Sequence, residues 1–325
     1  MIDKLYTTHS PSIDPLTIKK HLKKHYDVEG KLTFYPSDRD QIISIKADKN
    51  QYILKVYNFF EDLYNVEMQI SALIHLHVSG FPFDIPIPIQ GLKSIKHIDK
   101  KYISCLFNYI EGNLLIEFDE GRKHIRELGV LMGSLSKSLA NFCHEGRSGD
   151  FPWDIQNIKF LKKKLKHIEN KNDILILKDF IRKYEVNIPP IINKIRRSFV
   201  HNDGNKNNIV LNAKGQIKGI IDFGDMTNSF TVCEPAVCIS YIIQNSKVHS
   251  SDIAQFLDGY LSIYDLNDYE LRCLPYLVCV RLSISVTMAA WRKKLFPKNK
   301  YLTISEESSW SLIHLLKKID LENWI

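Results

Sequence analysis

The sequence lacks the devices that hold together secreted, metal-stapled and membrane-bound proteins. Its six cysteines (Cys105, Cys143, Cys233, Cys238, Cys273 and Cys279) form no CxxC pair. A zinc site needs tighter spacing with histidines nearby, so buried reduced thiols are expected instead. No stretch approaches the ~18–20 continuous apolar residues of a membrane span. The opening MIDKLYTTHSPSIDPL has no basic start followed by an apolar block. A secretory signal is therefore not expected, and a cytoplasmic location is. Neither an internal repeat nor a low-complexity tract is visible, which argues against solenoids and disordered arrays.

What is present suits a globular enzyme. The 325 residues are 44% hydrophobic and 25% charged, enough for a substantial core in one large domain or two smaller ones. The net charge is +7, with lysines clustered in IKKHLKKHY and LKKKLKH. Aromatic residues are not interleaved with them, as a single-strand stacking platform would require. These lysines read as solvated helix faces, nucleic-acid binding ranks last, and a phosphate-rich small ligand is compatible with the charge.

The first hundred residues alternate between helix and strand signals. Asp14 and Pro15 open an amphipathic helix. KLTFYP, QIISIKA and QYILKVYN are β-rich runs divided by SDRD and DKNQ. EDLYNVEMQISALIHLHVSG has a helical period and stops at Gly80, and YISCLFNYI is a further strand before EGN. This predicts a small α+β lobe over residues 1–107, followed by a mainly helical lobe over 108–325. Helices are expected in RKHIRELGVLMGSLSKSLANFCHE, DILILKDFIRKYEVN, PPIINKIRRSF and four segments after residue 232.

Chemistry concentrates in HNDGNKNNIVLNAKGQIKGIIDFGDM, residues 201–226. NIVLN and GIIDF are short and β-branched around a glycine turn, so they pair as a hairpin. Pairing brings the loop before the first strand beside the loop after the second. Asp203 and Asn208 then approach Asp222, although the two aspartates are 19 residues apart. Magnesium takes oxygen ligands and usually keeps waters, one or two carboxylates and substrate phosphates. Asn208 and Asp222 suit such an ion. Asp203, five residues before Asn208, suits the orientation and deprotonation of an attacking hydroxyl. Protein kinases use the same logic.

The pattern His201-x-Asp203-x-x-x-x-Asn208, then Ile221-Asp222-Phe223-Gly224-Asp225, resembles the aminoglycoside phosphotransferase and choline kinase superfamily. PSDRDQ, YILKVYN, FPWDIQNI, IDFGDM and RLSISVTMAAWRKKLFPKNKYLTIS together resemble the hydroxylysine kinase group within it. The resemblance implies a two-lobed, protein-kinase-like α+β fold. It also implies transfer of the γ-phosphate of ATP or GTP, with Mg2+, to an amino-alcohol hydroxyl. The chain departs from the family pattern at Asn202, where glycine is usual, and at Lys206 within the loop.

Lys55, isolated in a β-rich run, is then expected to reach nucleotide phosphates. Glu67 is expected as its ion-pair partner, with Glu61 as the alternative. Ser37 and Gln41 belong by resemblance to the loop over the nucleotide, which has no GxGxxG pattern. By the same resemblance, Phe107 and Tyr109 fall in the linker whose backbone is expected to read the base. His201 is expected to brace the loop. Asp225 either caps the next segment or faces the acceptor. Arg281, in an apolar helix, needs a partner: Glu234, or a bound carboxylate. Trp153 and Trp291 read as core, and either can also cover an ammonium or alkyl stem.

Hydroxylysine leads the acceptors. Homoserine, choline or ethanolamine, an aminoglycoside and a protein serine are alternatives. A nucleotide-binding scaffold without turnover is the reading from another class. The expected partners are a nucleotide and a small-molecule hydroxyl acceptor, with no nucleic acid and no membrane. Oligomeric state has no signature in the sequence.

Overall fold

A computed structural model describes residues 2–118, 121–146, 150–244, 250–299 and 306–324. The segment KYLTIS (300–305), part of the family resemblance, lies outside the described residues. The chain divides into two compact units: Met1–Gly80 with Asp84–Glu111 and His144–Gly146, and Phe81–Phe83 with Gly112–Cys143 and Arg147–Ile325. Residue 107, the expected boundary, falls inside a strand that ends at Asn108.

The first unit begins with α1 (Ile2–Thr7) and α2 (Pro15–Tyr26). Asp14 caps α2 as its sequence signal requires, accepting from Leu16 N and Thr17 N, both at 3.0 Å. An antiparallel five-stranded sheet follows: β1 (Lys31–Tyr35), β2 (Gln41–Lys46), β3 (Gln51–Val56), β4 (Lys96–Ile98) and β5 (Tyr102–Asn108), in the order β1-β2-β3-β5-β4. Between β3 and β4 runs α3 (Leu63–Val78), capped by Asp62 and followed by Gly80 at φ +74°. Alternation along β2 and β3 sends Ile43, Ile45, Leu54 and Val56 inward, where they meet Ile18 and Leu22 from one face of α2. This core fixes β3, and so fixes Lys55.

The second unit is mainly helical: α4 (Ile125–Leu139), α5 (Ile158–Lys164), α6 (Lys171–Asn187), α7 (Cys233–Gln244), α8 (Ser250–Leu261), α9 (Asp268–Leu295) and α10 (Glu306–Leu316). Two small sheets sit among the helices. One has the order β6-β8-β9, from β6 (Asn113–Leu114), β8 (Ile209–Leu211) and β9 (Ile217–Ile220). The other pairs β7 (Arg197–Val200) with β10 (Thr227–Phe230). The hairpin expected from NIVLN and GIIDF is β8–β9, with Ile209 opposite Ile220.

PPIINKIRRSF does not form the expected helix. A short 3-10 segment, Pro189–Lys194, gives way to β7. The paired prolines permit one turn, and Ser198, Phe199 and Val200 then find strand partners on β10.

Helices α4 and α8 approach so closely that a Cβ at Gly129 would lie 2.1 Å from Phe256 O, and one at Gly259 would lie 2.0 Å from Arg126 O. Helix α9 is long and apolar enough to cross a membrane by length and composition, but 94% of its most apolar window is buried inside the protein. It carries Arg281 in its middle and serves as the unit's core helix.

Candidate active site

The loop His201–Asn208 leaves β7, and the loop 221–226 leaves β9. Backbone and side-chain contacts join them. Ile221 N donates to Asn208 O at 2.9 Å. The His201 Nε2 atom meets Ile221 O at 3.0 Å, and the His201 ring lies edge-on to Phe223 at 4.7 Å. Asp203 N donates to His201 Nδ1 at 3.2 Å. His201 is fully buried and braces both loops. The carboxylates expected to converge therefore do so, because strand pairing delivers their backbones to one place.

Asp203 is held through both carboxylate oxygens. Asn208 Nδ2 donates to Asp203 Oδ2 at 2.8 Å and to its carbonyl at 2.9 Å. Tyr241 Oη, on α7, donates to Asp203 Oδ1 at 3.0 Å. The Arg281 guanidinium lies 3.6 Å from the same oxygen. Burial pushes the Asp203 pKa up to about 6; the Asp225 charge adds to this, and Arg281 opposes it.

Two loop residues adopt left-handed backbone, Asn202 at φ +66° and Asp222 at φ +60°. Glycine tolerates this conformation best, and Asn and Asp follow because their short side chains bond locally. Asn202, where the family pattern has glycine, uses its side chain. Its Nδ2 donates to Trp153 O and to Asp225 O, each at 3.3 Å. Buried Glu234, at the start of α7, accepts from the backbone N–H groups of His201 and Asn202. Its pKa is raised by burial, and those donors oppose the shift. At Gly204 a Cβ would lie 2.7 Å from the methyl of Met132, the far end of a flexible side chain.

Asn208 and Asp222, expected as metal ligands, are adjacent. The Asn208 amide nitrogen is committed to Asp203, which leaves its carbonyl oxygen turned the other way. Asp222 is exposed and receives Gly224 N at 3.2 Å. Among the described residues no group of three or more His, Cys, Asp or Glu is set to hold a metal. Two oxygen donors without a closed cage fit a magnesium ion that arrives with phosphates and keeps its waters.

In the first unit, Lys55 is buried on β3, with its Nζ 3.2 Å from Asp40 Oδ2. The ion pair was expected with Glu67 on α3, or with Glu61 as the alternative; the pair found here is with Asp40, from the turn before β2. Asp40 is fixed there because its Oδ1 accepts from Asn58 N at 2.9 Å. Glu61 is buried and accepts from Asn65 Nδ2 at 3.0 Å.

Gln41, expected in the nucleotide loop, is bound elsewhere. Its amide exchanges hydrogen bonds with the backbone of Ile13, at 2.9 and 3.1 Å, and so pins the N-terminal segment to β2. Ser37 is half-buried in that turn. Phe107 is buried opposite Ile53, and Tyr109 N donates to Gln51 O at 3.1 Å.

Arg281 also departs from expectation. Among the described residues, Arg281 faces the carboxylate of Asp203, 3.6 Å away, and not that of Glu234. Its side chain is 1% exposed; one terminal nitrogen donates to Trp153 O at 3.1 Å and the other to Tyr241 Oη at 2.9 Å. Its Cζ lies 4.8 Å from the Trp153 ring centre, so the half-buried Trp153 gives one face to Arg281. Trp291 is core, with Lys164 Nζ 3.2 Å from its ring centre and Phe160 against its edge. Asp225 is half-buried and accepts from Asn202 through its carbonyl.

Tyr241 and the loop-holding role of Glu234 were missed by sequence reasoning. Their separation of seven residues on one helix was the available signal, since it puts both on one face.

Fold and site together define a kinase-like enzyme that transfers phosphate to an alcohol. The pattern of the phosphotransferase enzyme family matches residues 31–273, and the chain belongs to that family. The chain is 29% identical to mouse (Mus musculus) hydroxylysine kinase over 296 residues, covering 84% of this chain and 78% of the relative. Among solved structures, a microcompartment-associated aminopropanol kinase superposes with a TM-score of 0.75 at 16% identity, covering 93% of this chain and 97% of the other. An amicoumacin kinase, solved with AMP-PNP and Ca2+, gives 0.72 at 13% identity, covering 96% and 98%.

Proposed function

We propose that the protein transfers the γ-phosphate of ATP or GTP to a hydroxyl that lies close to an ammonium group, with 5-hydroxylysine as the first acceptor. The observation that carries this reading is the Asp203 carboxylate, fixed by Asn208 and Tyr241 beside Asp222. Asp203 accepts the acceptor's proton as its oxygen attacks the γ-phosphorus, and the nucleoside diphosphate leaves. Asn208 and Asp222 would hold Mg2+, which would supply charge neutralisation to the phosphates. Lys55 holds the nucleotide phosphates. Ser37 and the backbone around Phe107 and Tyr109 complete the nucleotide site.

The acceptor is read by charge. Asp225 contributes enough field to raise the Asp203 pKa, and so favours an ammonium nearby. Trp153 lines the same side. Arg281 is engaged by the chain's own groups, so a carboxylate fork is not part of this proposal. Hydroxylysine carries hydroxyl and ammonium on adjacent carbons, and the acceptors named in two relatives, hydroxylysine and aminopropanol, are both amino alcohols. No nucleic-acid or membrane partner is proposed, and a cytoplasmic location goes with a soluble acceptor.

The test is an acceptor screen with ATP and GTP in parallel, reading nucleoside diphosphate release. Hydroxylysine and 1-amino-2-propanol should lead, ahead of homoserine, choline and an aminoglycoside. Choline or an aminoglycoside in first place would overturn the acceptor class. Nucleotide-dependent thermal stabilisation without product from any acceptor would point to a scaffold.

A further inference from the structure

We propose that Tyr241 and Arg281 are positioning residues that lock the Asp203 carboxylate in the orientation in which it meets the acceptor hydroxyl. The inference rests on the reading of Asp203 as the base. Four segments distant in sequence close a ring around this one side chain. Arg281 on α9 donates to Tyr241 Oη on α7 at 2.9 Å, and Tyr241 donates to Asp203 Oδ1 at 3.0 Å. The other end of the guanidinium donates to Trp153 O at 3.1 Å, and that carbonyl also accepts from Asn202 at 3.3 Å. Asn202 precedes Asp203 in the chain, so the ring returns to its start.

Both oxygens of Asp203 are thereby tied. Asn208 holds Oδ2 and Tyr241 holds Oδ1, so the carboxylate cannot turn without losing both hydrogen bonds. Each oxygen has a second lone pair, which leaves room for the acceptor's hydroxyl. Helix α7 serves the loop twice. Glu234 takes the backbone N–H groups of His201 and Asn202, and Tyr241, two turns on, takes the side chain of Asp203.

The cost of the arrangement points the same way. Arg281 is 1% exposed in an otherwise apolar stretch of α9, and its Nε has no hydrogen-bond partner. A buried ion pair is a poor device for stability, because desolvation offsets much of the attraction. A packed apolar side chain would serve the core as well, but it would leave Tyr241 unanchored.

Steady-state kinetics of Tyr241→Phe, Arg281→Met, Asp203→Asn and the Tyr241→Phe/Asp203→Asn pair test the proposal. The best acceptor from the screen is used, or water in slow nucleotide hydrolysis if no acceptor is found. Tyr241→Phe should lower kcat by about 10- to 100-fold, the scale of a misplaced catalytic group, with the nucleotide KM within about twofold. In the Asp203→Asn background the same substitution should cost less than about twofold, because its target is already gone.

A kcat within twofold of wild type for Tyr241→Phe, or losses that multiply in the pair, would overturn the positioning role. If Arg281→Met fails to fold, Tyr241→Phe decides alone, since it removes one oxygen atom. Wild-type protein without turnover on any acceptor or on water overturns the reading of Asp203 itself, and the positioning role falls with it.

Discussion

Asn208 and Asp203 are bound twice over: one amide nitrogen donates to the aspartate's carboxylate at 2.8 Å and to its carbonyl at 2.9 Å. The amide thus sets the rotamer of Asp203 and the direction of its own carbonyl oxygen together. One residue thus couples the proposed proton acceptor to the proposed metal position.

Asp203→Asn should therefore lower kcat by roughly a hundredfold or more while leaving nucleotide affinity near normal. Asn208→Ala should depress both turnover and the apparent affinity for magnesium. Initial rates at varied nucleotide and magnesium concentrations separate the two. Lost nucleotide affinity with full turnover at saturation in Asp203→Asn would assign that carboxylate a different role.

Asp222→Asn should abolish phosphate transfer with little change in melting temperature. Asparagine tolerates the φ +60° backbone there and can still accept from Gly224 N, while the charge is lost. Asp222→Ala should be equally inactive and slightly less stable, on the order of 1 kcal/mol, for lack of that tolerance. Near-normal turnover of folded Asp222→Asn at limiting magnesium would remove Asp222 from the metal site.

Lys55→Ala should lower kcat/KM for nucleotide by about a hundredfold, as loss of a phosphate-positioning group does. Asp40→Asn should disturb nucleotide handling in the same direction, because it removes the charge 3.2 Å from Lys55 but keeps an acceptor for Asn58 N. Glu67→Lys should leave kcat/KM for nucleotide unchanged. A Glu67→Lys enzyme as impaired as Lys55→Ala would restore the partner first expected from the sequence.

His21 should make stability pH-dependent. Its Nε2 lies 3.0 Å from Ser104 Oγ, and the ring is buried between α2 and β5. Burial, with His25, Lys24 and Lys96 adding, lowers its pKa from 6.5 to about 4. A depressed folded-state pKa means that the unfolded chain binds the proton first. Stability is full above about pH 6.5 and is lost as pH falls towards 4, by on the order of 2 kcal/mol. Urea unfolding at pH 7, 6, 5 and 4 should show a shallower slope for His21→Gln than for wild type. Parallel curves would mean that the imidazole is solvated.

The sequence by itself determined whatever depends on neighbours along the chain. Asp14 caps α2, Gly80 ends α3, and the β8–β9 hairpin forms where short β-branched runs flank a glycine turn. That hairpin alone brings Asp203, Asn208 and Asp222 together, because strand pairing turns a separation of 19 residues into adjacent loops. Lys55 was legible for a similar reason, as one charge in an apolar strand. The failed helix at PPIINKIRRSF shows the limit of local signals, since β10 captured the second half of that segment as β7.

Only the tertiary structure decided which charges meet. Lys55 found Asp40 and not Glu67; Gln41 went to Ile13; Arg281 took Trp153 O, 128 residues away, and Tyr241 Oη rather than Glu234 or an acceptor. The physical reason is that a buried charge or amide must be satisfied by whatever packing brings within about 3 Å of it. Helix periodicity says which face is buried, but it does not say which helix lies opposite. The contact of Tyr241 with Asp203 follows from the placement of α7 against the loop after β7, which neither segment's own residues encode.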